Sequence, residues 1–202
     1  MKSVSYYNED VFPNKVLCVG RNYVDHIKEL NNEVPTSMVL FFKPNAAISK
    51  KLLTCKDEVL HYEGELSFLV RDKKFVAVGF GLDLTKRELQ SKLKEKGLPW
   101  ERAKSFNGAA IFSNFVSFDN LEKLSLKLWI NNVLVQEGGV ELMIYKPATV
   151  LEEIETFIDV EENDIIMTGT PKGVGSFKQG DVFVAHVYEG EKQLVEQKWI
   201  AQ

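Results

Sequence analysis

The sequence predicts a mixed, predominantly β fold of the α+β class. Short apolar runs and runs of alternating polar and apolar residues recur along the 202-residue chain and are separated by turn residues, which is typical of short strands. The few segments with helical spacing do not alternate regularly with these strands, as βαβ units would require. The pair Asn131-Asn132 between two alternating runs indicates a β-hairpin. We expect about eight to ten short strands and two or three short helices.

The composition is that of an ordinary globular protein, with 45% hydrophobic and 27% charged residues. The net charge of −4 and the lack of any long basic run argue against a nucleic-acid surface. No apolar stretch approaches the roughly 20 residues of a membrane helix, and the N-terminus has no apolar signal core, so we expect a cytoplasmic protein. The two cysteines fit a reducing compartment. We predict a loosely attached lead-in over residues 1–14 and a single domain over residues 15–202.

Two buried strands and a short helix open this domain. The apolar residues 15–19 predict the first strand, and residues 39–42 predict the second. Between them, Asn22 is placed to cap a helix that covers residues 23–30. Irregular chain over residues 45–60 then leads to the next strand.

His26 and Glu29 are three residues apart on the predicted helix, so their side chains are neighbours on one face. A carboxylate beside an imidazole selects its tautomer and raises its basicity, which is the arrangement of a general base. The alternative is an ordinary surface pair that interacts only in water. The spacing alone leaves both interpretations open.

An acidic strand over residues 61–70 is the most informative stretch. Its alternation places Glu63 and Glu65 on the same face, with Cα atoms roughly 6.5–7 Å apart. Two such carboxylates repel each other unless a positive charge lies between them, and a hard cation would supply that charge. The alternative is a half-exposed strand with an acidic solvent face.

The following run, residues 75–82, predicts a partner strand. One of its faces carries alanine and glycine and ends at Asp83, which leaves room for a ligand. In a hairpin with a tight loop, Asp83 would pair with Tyr62 and lie on the face opposite Glu63. A site shared by Asp83 and Glu63 therefore requires a loop of odd length, a bulge, or strands that are not direct partners.

The remaining elements are two helices and four strands. Thr85 and Glu88 form a capping box that opens a helix to about Lys96, and Thr149 with Glu152 forms a second one whose helix turns Phe157 inward. The apolar residues 165–167 predict a buried strand, which leads into a turn rich in glycine and threonine. The other predicted strands are the hairpin strand over residues 124–130 and a closing strand pair over residues 181–188 and 194–200.

The turn that follows the buried strand at residues 165–167 can present backbone N–H groups and hydroxyls to an anion. It lacks the Gly-Lys-Ser/Thr ending of a phosphate-binding P-loop, so it does not indicate a nucleotide site. By itself, this stretch favours a tight structural turn over a binding loop.

Taken together, ordered motifs give the chain a resemblance to the fumarylacetoacetate hydrolase family, in particular to its short single-domain members of the acylpyruvase and oxaloacetate-handling type. The resemblance covers roughly residues 15–190. The motifs are Gly20-Arg21-Asn22-Tyr23-x-x-His26-x-x-Glu29, Phe42-Lys43-Pro44, Glu63-x-Glu65-Leu66, Leu82-Asp83-x-Thr85-x-Arg87-x-x-Gln90, Gly97-x-Pro99-Trp100, Ala103-Lys104-Ser105-Phe106, Gln136-Glu137-Gly138 and Thr168-Gly169-Thr170-Pro171-x-Gly173-Val174-Gly175.

The resemblance implies a β-roll fold with a few short helices, a homodimer, and Mg²⁺ or Mn²⁺ held by Glu63, Glu65 and Asp83. An all-carboxylate site agrees with a hard cation of this kind and not with zinc. The resemblance further implies catalytic roles for the His26–Glu29 dyad and for Lys104. It implies substrate-binding roles for Arg21, Lys43, Arg87, Gln90, Thr168, Gly169 and Thr170.

The function implied first is metal-dependent hydrolysis of a C–C bond in a small 2,4-dioxo acid of the acylpyruvate or fumarylpyruvate type. The same electrophilic site would stabilise the enolate formed in oxaloacetate decarboxylation, in keto–enol tautomerisation or in isomerisation of an unsaturated oxo-diacid. A non-catalytic metal- or ligand-binding module on the same scaffold is the alternative outside enzymes. The sequence does not separate these reactions, because all of them need the same site.

Overall fold

A computed structural model describes residues 1–7, 9–29 and 37–202 of the chain. The predicted end of the first helix near residue 30 lies outside the described residues. Within them, the chain forms the helices α1 (Val24–Glu29), α2 (Arg87–Glu95), α3 (Glu101–Lys104) and α4 (Pro147–Glu155). Single turns of 3₁₀ helix cover Asn45–Ala47, Leu121–Lys123 and Val140–Leu142.

Strands dominate the fold, as predicted. They are β1 (Val4–Tyr6), β2 (Glu9–Val11), β3 (Lys15–Gly20), β4 (Val39–Pro44), β5 (Ile48–Ser49), β6 (Leu60–Tyr62), β7 (Gly64–Arg71), β8 (Lys74–Asp83), β9 (Thr85–Lys86), β10 (Ala110–Phe112), β11 (Leu124–Ile130), β12 (Val133–Gly139), β13 (Ile165–Met167), β14 (Gly175–Ser176), β15 (Val182–Glu189) and β16 (Lys192–Ile200). The described chain thus has more strands than the eight to ten expected, because several two- and three-residue strands are too short to leave an alternation in the sequence.

Two sheets enclose the main core. A mixed seven-stranded sheet has the order β4-β3-β13-β7-β8-β10-β5, and an antiparallel four-stranded sheet has the order β12-β11-β15-β16. Apolar side chains of β7 and β8 pack between these sheets against those of β11 and β15. A three-stranded sheet, β14-β6-β9, includes the strand that directly precedes β7 and therefore lies beside the start of β7, where the acidic residues are. The mixed, predominantly β class is confirmed.

Strand β7 is buried on both faces, so the half-exposed acidic strand considered above is excluded. Leu66 and Phe68 pack between the two main sheets, while Leu69 packs on the other side of the sheet with Cys18 and Met167. Every residue of β7 before its last one is buried. The polar face of this strand therefore lies inside the protein, where its carboxylates need compensating charges or a ligand.

A β-bulge decides the register of the β7–β8 hairpin. Arg71 pairs with Lys74 across a two-residue turn, a register that would continue to place Asp83 opposite Tyr62. The register shifts by one residue at Leu69/Val70, after which Gly64 pairs with Leu82. Asp83 consequently comes opposite Glu63, and its N–H donates to the Glu63 carbonyl at 2.8 Å. Of the three possibilities predicted for a shared site, the structure uses the bulge.

Other predictions about the strands have mixed outcomes. Both Asn131 and Asn132 have positive φ in the turn between β11 and β12, as the hairpin signal predicts. The closing strand pair is present as β15 and β16. The loosely attached lead-in is wrong: β1 and β2 pair as a hairpin whose Val4 and Val11 are buried against the core.

Neither predicted capping box forms. Thr85 belongs to β9, and α2 begins after Lys86 without a side-chain cap. Helix α4 begins at Pro147, two residues before Thr149, because proline at the first helical position already has the helical φ. Phe157 follows the end of α4 and is 55% exposed, so it is not turned inward as predicted.

Helix α2 otherwise ends as predicted, since Gly97 follows it with a φ of +61°. No helix in the described parts of the chain is long and apolar enough to cross a membrane. The cytoplasmic location stays a prediction.

Candidate active site

Three buried carboxylates meet where β7 begins and β8 ends. Glu63 precedes β7, Glu65 lies on it, and Asp83 is the last residue of β8. One oxygen of each carboxylate lies within 4.8 Å of the other two. The bulge creates this cluster, because it turns Asp83 to the face that Glu63 and Glu65 share.

Two buried lysines compensate part of this negative charge. The Lys104 ammonium lies 2.8 Å from Glu63 Oε2 and 2.8 Å from Asp83 Oδ2, and it donates to Thr85 Oγ1 at 2.6 Å. The Lys43 ammonium lies 2.8 Å from Asp83 Oδ1 and also donates to the Lys104 carbonyl. Asp83 is therefore held between two ammonium groups in the protein interior, where ion pairs are only weakly screened.

This environment shifts the pKa values of Glu63, Glu65 and Lys104 in different ways. Burial alone would raise the pKa of Glu63, but the adjacent Lys104 and Arg87 outweigh it and hold the pKa well below its usual range. Burial and the repulsion from Asp83 and Glu63 raise the pKa of Glu65 well above its usual value. Burial opposes the charged form of Lys104, yet Asp83 and Glu63 raise its pKa overall. Glu65 is thus the least compensated carboxylate of the three.

Helix α2 contributes Arg87 and Gln90 to the same place. The Arg87 guanidinium pairs with Glu63 Oε1, and its Nη1 donates to Gln90 Oε1 at 2.9 Å. Both residues line a narrow cleft over the carboxylates. Their spacing of three residues puts them on one helical face.

The predicted dyad is formed at the edge of this cleft. His26 Nδ1 lies 3.3 Å from Glu29 Oε2, and the backbone N–H of Gly173 donates to both Glu29 oxygens at 3.0 and 3.2 Å. Gly173 has a φ of +100°, and a Cβ there would lie 1.8 Å from the Val135 carbonyl oxygen, so the turn that holds Glu29 requires glycine. Burial lowers the pKa of His26, against the opposing effects of Glu63 and Glu29.

Comparison with known proteins agrees with this geometry. A family model described as the C-terminal domain of fumarylacetoacetate (FAA) hydrolase matches residues 15–197. The chain belongs to the fumarylacetoacetate hydrolase family. The resemblance inferred from the ordered motifs is thereby confirmed.

Several proteins that are similar to the chain have names that state an activity. The mitochondrial oxaloacetate tautomerase of Homo sapiens is 38% identical over 86% of this chain and 86% of its own length. The oxaloacetate tautomerase of Escherichia coli is 34% identical over 83% of this chain and 85% of its own. A fumarylacetoacetate isomerase/hydrolase family protein from Oleispira antarctica superimposes with a TM-score of 0.94 at 32% identity, with both chains fully covered. The chain is therefore related to enzymes of this family.

The turn Thr168–Gly169–Thr170, predicted to receive a substrate carboxylate, uses its donors within the protein. The Thr168 hydroxyl donates to the Leu66 carbonyl at 2.9 Å, and the Gly169 N–H donates to Glu65 Oε2 at 2.8 Å. Thr170 is the member of this turn that lines the cleft. Its hydroxyl donates to the Gly64 carbonyl at 2.9 Å and accepts from Gln136 at 2.8 Å. The turn thus positions Glu65, and its role toward substrate stays a prediction.

Asn22 does not cap α1 as predicted. Its buried side chain donates to the carbonyls of Tyr145 and Thr168 at 2.9 and 2.8 Å and accepts from the Tyr145 N–H at 2.7 Å. These bonds tie the start of α1 to the Thr168 turn. A buried amide that satisfies three backbone groups is worth more here than an exposed helix cap.

The cleft brings most predicted site residues together. Those that line it are Arg21, His26, Glu63, Glu65, Asp83, Arg87, Gln90, Lys104 and Thr170. Lys43 and Gly169 lie behind them, and each contacts one of the carboxylates. The roles assigned to these residues stay predictions that their positions support.

Five residues that line the cleft were not among the predicted site residues: Val19, Gly20, Phe41, Lys94 and Trp100. Lys94 could have been found, because it lies four residues after Gln90 and seven after Arg87 and therefore shares their helical face. Phe41 and Trp100 had no such signal. They come together because α3 packs against β4, and their ring centroids are 6.0 Å apart.

The carboxylate cluster fits a divalent cation. Its three oxygen donors come from separate positions of a rigid hairpin, and Glu65 forms no ion pair with any lysine, arginine or histidine in the described ranges. An all-oxygen donor set is the preference of hard cations. Burial and the neighbouring carboxylates Asp83 and Glu63 raise the pKa of Glu65, and a cation bound there would stabilise its charged form.

Proposed function

We propose that this protein is a divalent-metal-dependent keto–enol tautomerase that acts on oxaloacetate. The observation that carries the proposal is one cleft lined by a buried carboxylate cluster and by His26, whose Nδ1 lies beside Glu29. The human and Escherichia coli relatives named oxaloacetate tautomerases support this reaction over the others of the family.

Glu63, Glu65 and Asp83 would hold the cation, with Mg²⁺ and Mn²⁺ as the candidates. When bound, the cation would supply electrophilic stabilisation of the negative charge that develops on the substrate's C2 oxygen. The buried Lys104 ammonium favours the ionised form of Glu63 by lowering the pKa of this carboxyl, and a deprotonated carboxylate is the ligand form.

The dyad would move the proton. In the keto-to-enol direction, His26 Nε2 takes a proton from C3, the C3–H electron pair forms the C2–C3 double bond, and the C2=O π electrons move to the oxygen. The C2 oxygen then takes the proton back from His26 Nε2–H, which leaves the imidazole neutral again. Glu29 accepts from His26 Nδ1–H and so leaves Nε2 as the basic nitrogen. Because burial lowers the pKa of His26, the imidazole is neutral and ready to act as a base near neutral pH.

Cationic and amide groups around the cleft would orient the substrate. Lys104 would place a positive charge near the oxygen on which negative charge develops, while Arg21, Arg87, Gln90 and Thr170 line the space around it. Such positioning is required because the proton must leave perpendicular to the plane of the forming enolate.

Hydrolysis of an acylpyruvate is the second candidate and was the first interpretation of the sequence. It is favoured by the same dyad, because a neutral His26 held by Glu29 can also deprotonate a water molecule. Decarboxylation of oxaloacetate and isomerisation of an unsaturated oxo-diacid use the same enolate, so substrate screening has to separate them.

The test is an assay of the purified protein with Mg²⁺ or Mn²⁺. The ultraviolet absorbance of the enol form of oxaloacetate follows the reaction. We expect this absorbance to decay much faster with the protein than in buffer, and EDTA to abolish the acceleration. Readdition of the metal should restore it. Two parallel assays serve as controls. Cleavage of acetylpyruvate measures hydrolysis, and release of pyruvate from oxaloacetate measures decarboxylation.

Three results would contradict the proposal. Acetylpyruvate cleavage without tautomerase activity would establish the hydrolytic alternative. Full activity in EDTA would remove the metal from the mechanism. Tight metal binding without turnover of any 2-oxo acid would favour the non-catalytic binding module.

We also propose that the protein is a homodimer, which the family resemblance implies. Exposed apolar side chains on strand β12 and just after it, Val133, Leu134 and Leu142, support an interface there. Light scattering after size-exclusion chromatography should give twice the chain mass of 23.0 kDa, and Leu134→Asp should shift it to the monomer. A monomeric wild type at micromolar concentration would refute this.

A further inference from the structure

We propose that Lys94 binds the second carboxylate of the substrate and so restricts the site to 2-oxo dicarboxylates. The inference rests on the proposed function, because that function places the 2-oxo acid end of the substrate at the carboxylate cluster. Lys94 is on the face of α2 that carries Arg87 and Gln90, and it lines the cleft with them.

Lys94 differs from the Lys104 and Arg87 side chains of the same cleft, because no ion pair joins it to a carboxylate of the described residues. Lys104 and Lys43 pair with Asp83, and Arg87 pairs with Glu63. Among the residues that the structure describes, no carboxylate forms an ion pair with Lys94. Its ammonium lies instead 4.5 Å from the centroid of the Trp100 ring, whose face is a weak partner for a cation.

The surroundings of Lys94 are positively charged. Burial, followed by the charges of Arg21, Lys104 and Arg87, lowers its pKa to about 8, and Glu63 offsets this only in part. A half-buried ammonium among three other cations is destabilised in the free protein and gains when an anion enters. The carboxylates of the cleft cannot serve as that anion, since they are already paired with other groups or belong to the proposed metal site.

A ligand with one anionic end would leave this charge uncompensated. A 2-oxo monocarboxylate would place its only carboxylate at the cluster and Arg87, whereas a dicarboxylate such as oxaloacetate carries a second one on the far side of its CH₂ group. Lys94 and the Trp100 ring form the wall of the cleft that this second carboxylate would meet. Substrate class is therefore set by α2 and not by the carboxylates.

Binding measurements on the Mn²⁺-loaded protein test this directly. Isothermal titration compares pre-equilibrated oxaloacetate with 2-oxobutanoate, which has the same chain length and a methyl group in place of the second carboxylate. We expect wild type to prefer oxaloacetate, and Lys94→Met to weaken oxaloacetate binding by roughly 10- to 100-fold, the range of a charge-assisted hydrogen bond. Affinity for 2-oxobutanoate should stay the same.

Two further variants control the experiment. Lys94→Arg keeps the charge and should retain most of the preference, while Lys92→Met removes an exposed lysine of the same helix and should change nothing. The inference would be overturned if the ratio of the affinities for oxaloacetate and 2-oxobutanoate were the same in wild type and in Lys94→Met. A wild type that does not prefer oxaloacetate would also overturn it.

This comparison is independent of turnover. A protein that prefers the dicarboxylate but does not tautomerise it would refute the proposed reaction and support the inference. An active tautomerase whose preference survives Lys94→Met would do the opposite.

Discussion

Glu65→Gln should abolish divalent-cation binding and turnover while leaving the metal-free protein as stable as wild type. Glu65 forms no ion pair with the described cations, and its contact with the Gly169 N–H can be kept by the glutamine carbonyl. Because burial and its two acidic neighbours raise its pKa, the neutral glutamine resembles the protonated form that the metal-free site favours. Loss of one of three carboxylate ligands should weaken Mn²⁺ binding by at least about 100-fold.

Asp83→Asn is the matched control for this variant. It also removes a carboxylate of the cluster, but it leaves Lys43 and Lys104 with less compensation in the interior. Breaking a buried ion pair costs about 3–5 kcal/mol, so the metal-free Asp83→Asn protein should unfold at clearly lower temperature. Titration calorimetry with Mn²⁺ and thermal unfolding in EDTA measure both effects. Retention of wild-type metal affinity in Glu65→Gln would remove the metal site from this cluster.

His26→Ala should reduce kcat about 10²- to 10⁴-fold, the usual contribution of a general base. Metal affinity should be unchanged, because His26 is not one of the three clustered carboxylates. In wild type, activity should fall only below the ordinary histidine pKa of about 6.5, since burial lowers the pKa of His26 and the base works in its neutral form. This acidic limb should disappear from the residual activity of the variant.

His186→Asn provides the control, since His186 lies on β15 outside the cleft and bonds to the Tyr188 hydroxyl. Glu29→Gln should have an intermediate effect, because it keeps the contacts of the Gly173 turn but loses the charge that raises the basicity of His26. A His26→Ala enzyme with wild-type kcat would assign the proton transfer to another group.

The sequence by itself determined the fold class and the composition of the site. Strands reveal themselves by local alternation, and the hairpin at Asn131-Asn132 by its turn residues, so these features need no knowledge of distant contacts. The ordered motifs identified the family, and with it the carboxylates Glu63, Glu65 and Asp83 and the His26–Glu29 dyad.

The sequence predicted the starts of the helices less well. Thr85 and Thr149 have the spacing of capping boxes, yet neither caps a helix. Thr85 is drawn into β9 and accepts a hydrogen bond from the buried Lys104, whose ammonium needs an acceptor more than a helix end needs a cap. Asn22 is likewise used inside the protein, by Tyr145 and Thr168. Local preference yields to burial in each case.

Tertiary structure alone decided whether the site exists. The position of Asp83 depends on one extra residue in β8, and without this bulge its carboxylate would lie on the face opposite Glu63. The pairing of the carboxylates with Lys43 and Lys104, and the position of Lys94 beside Trp100, also join residues from separate elements. The physical reason is that a bulge and a buried charge are stabilised by neighbours distant in the chain, so local periodicity carries no record of them.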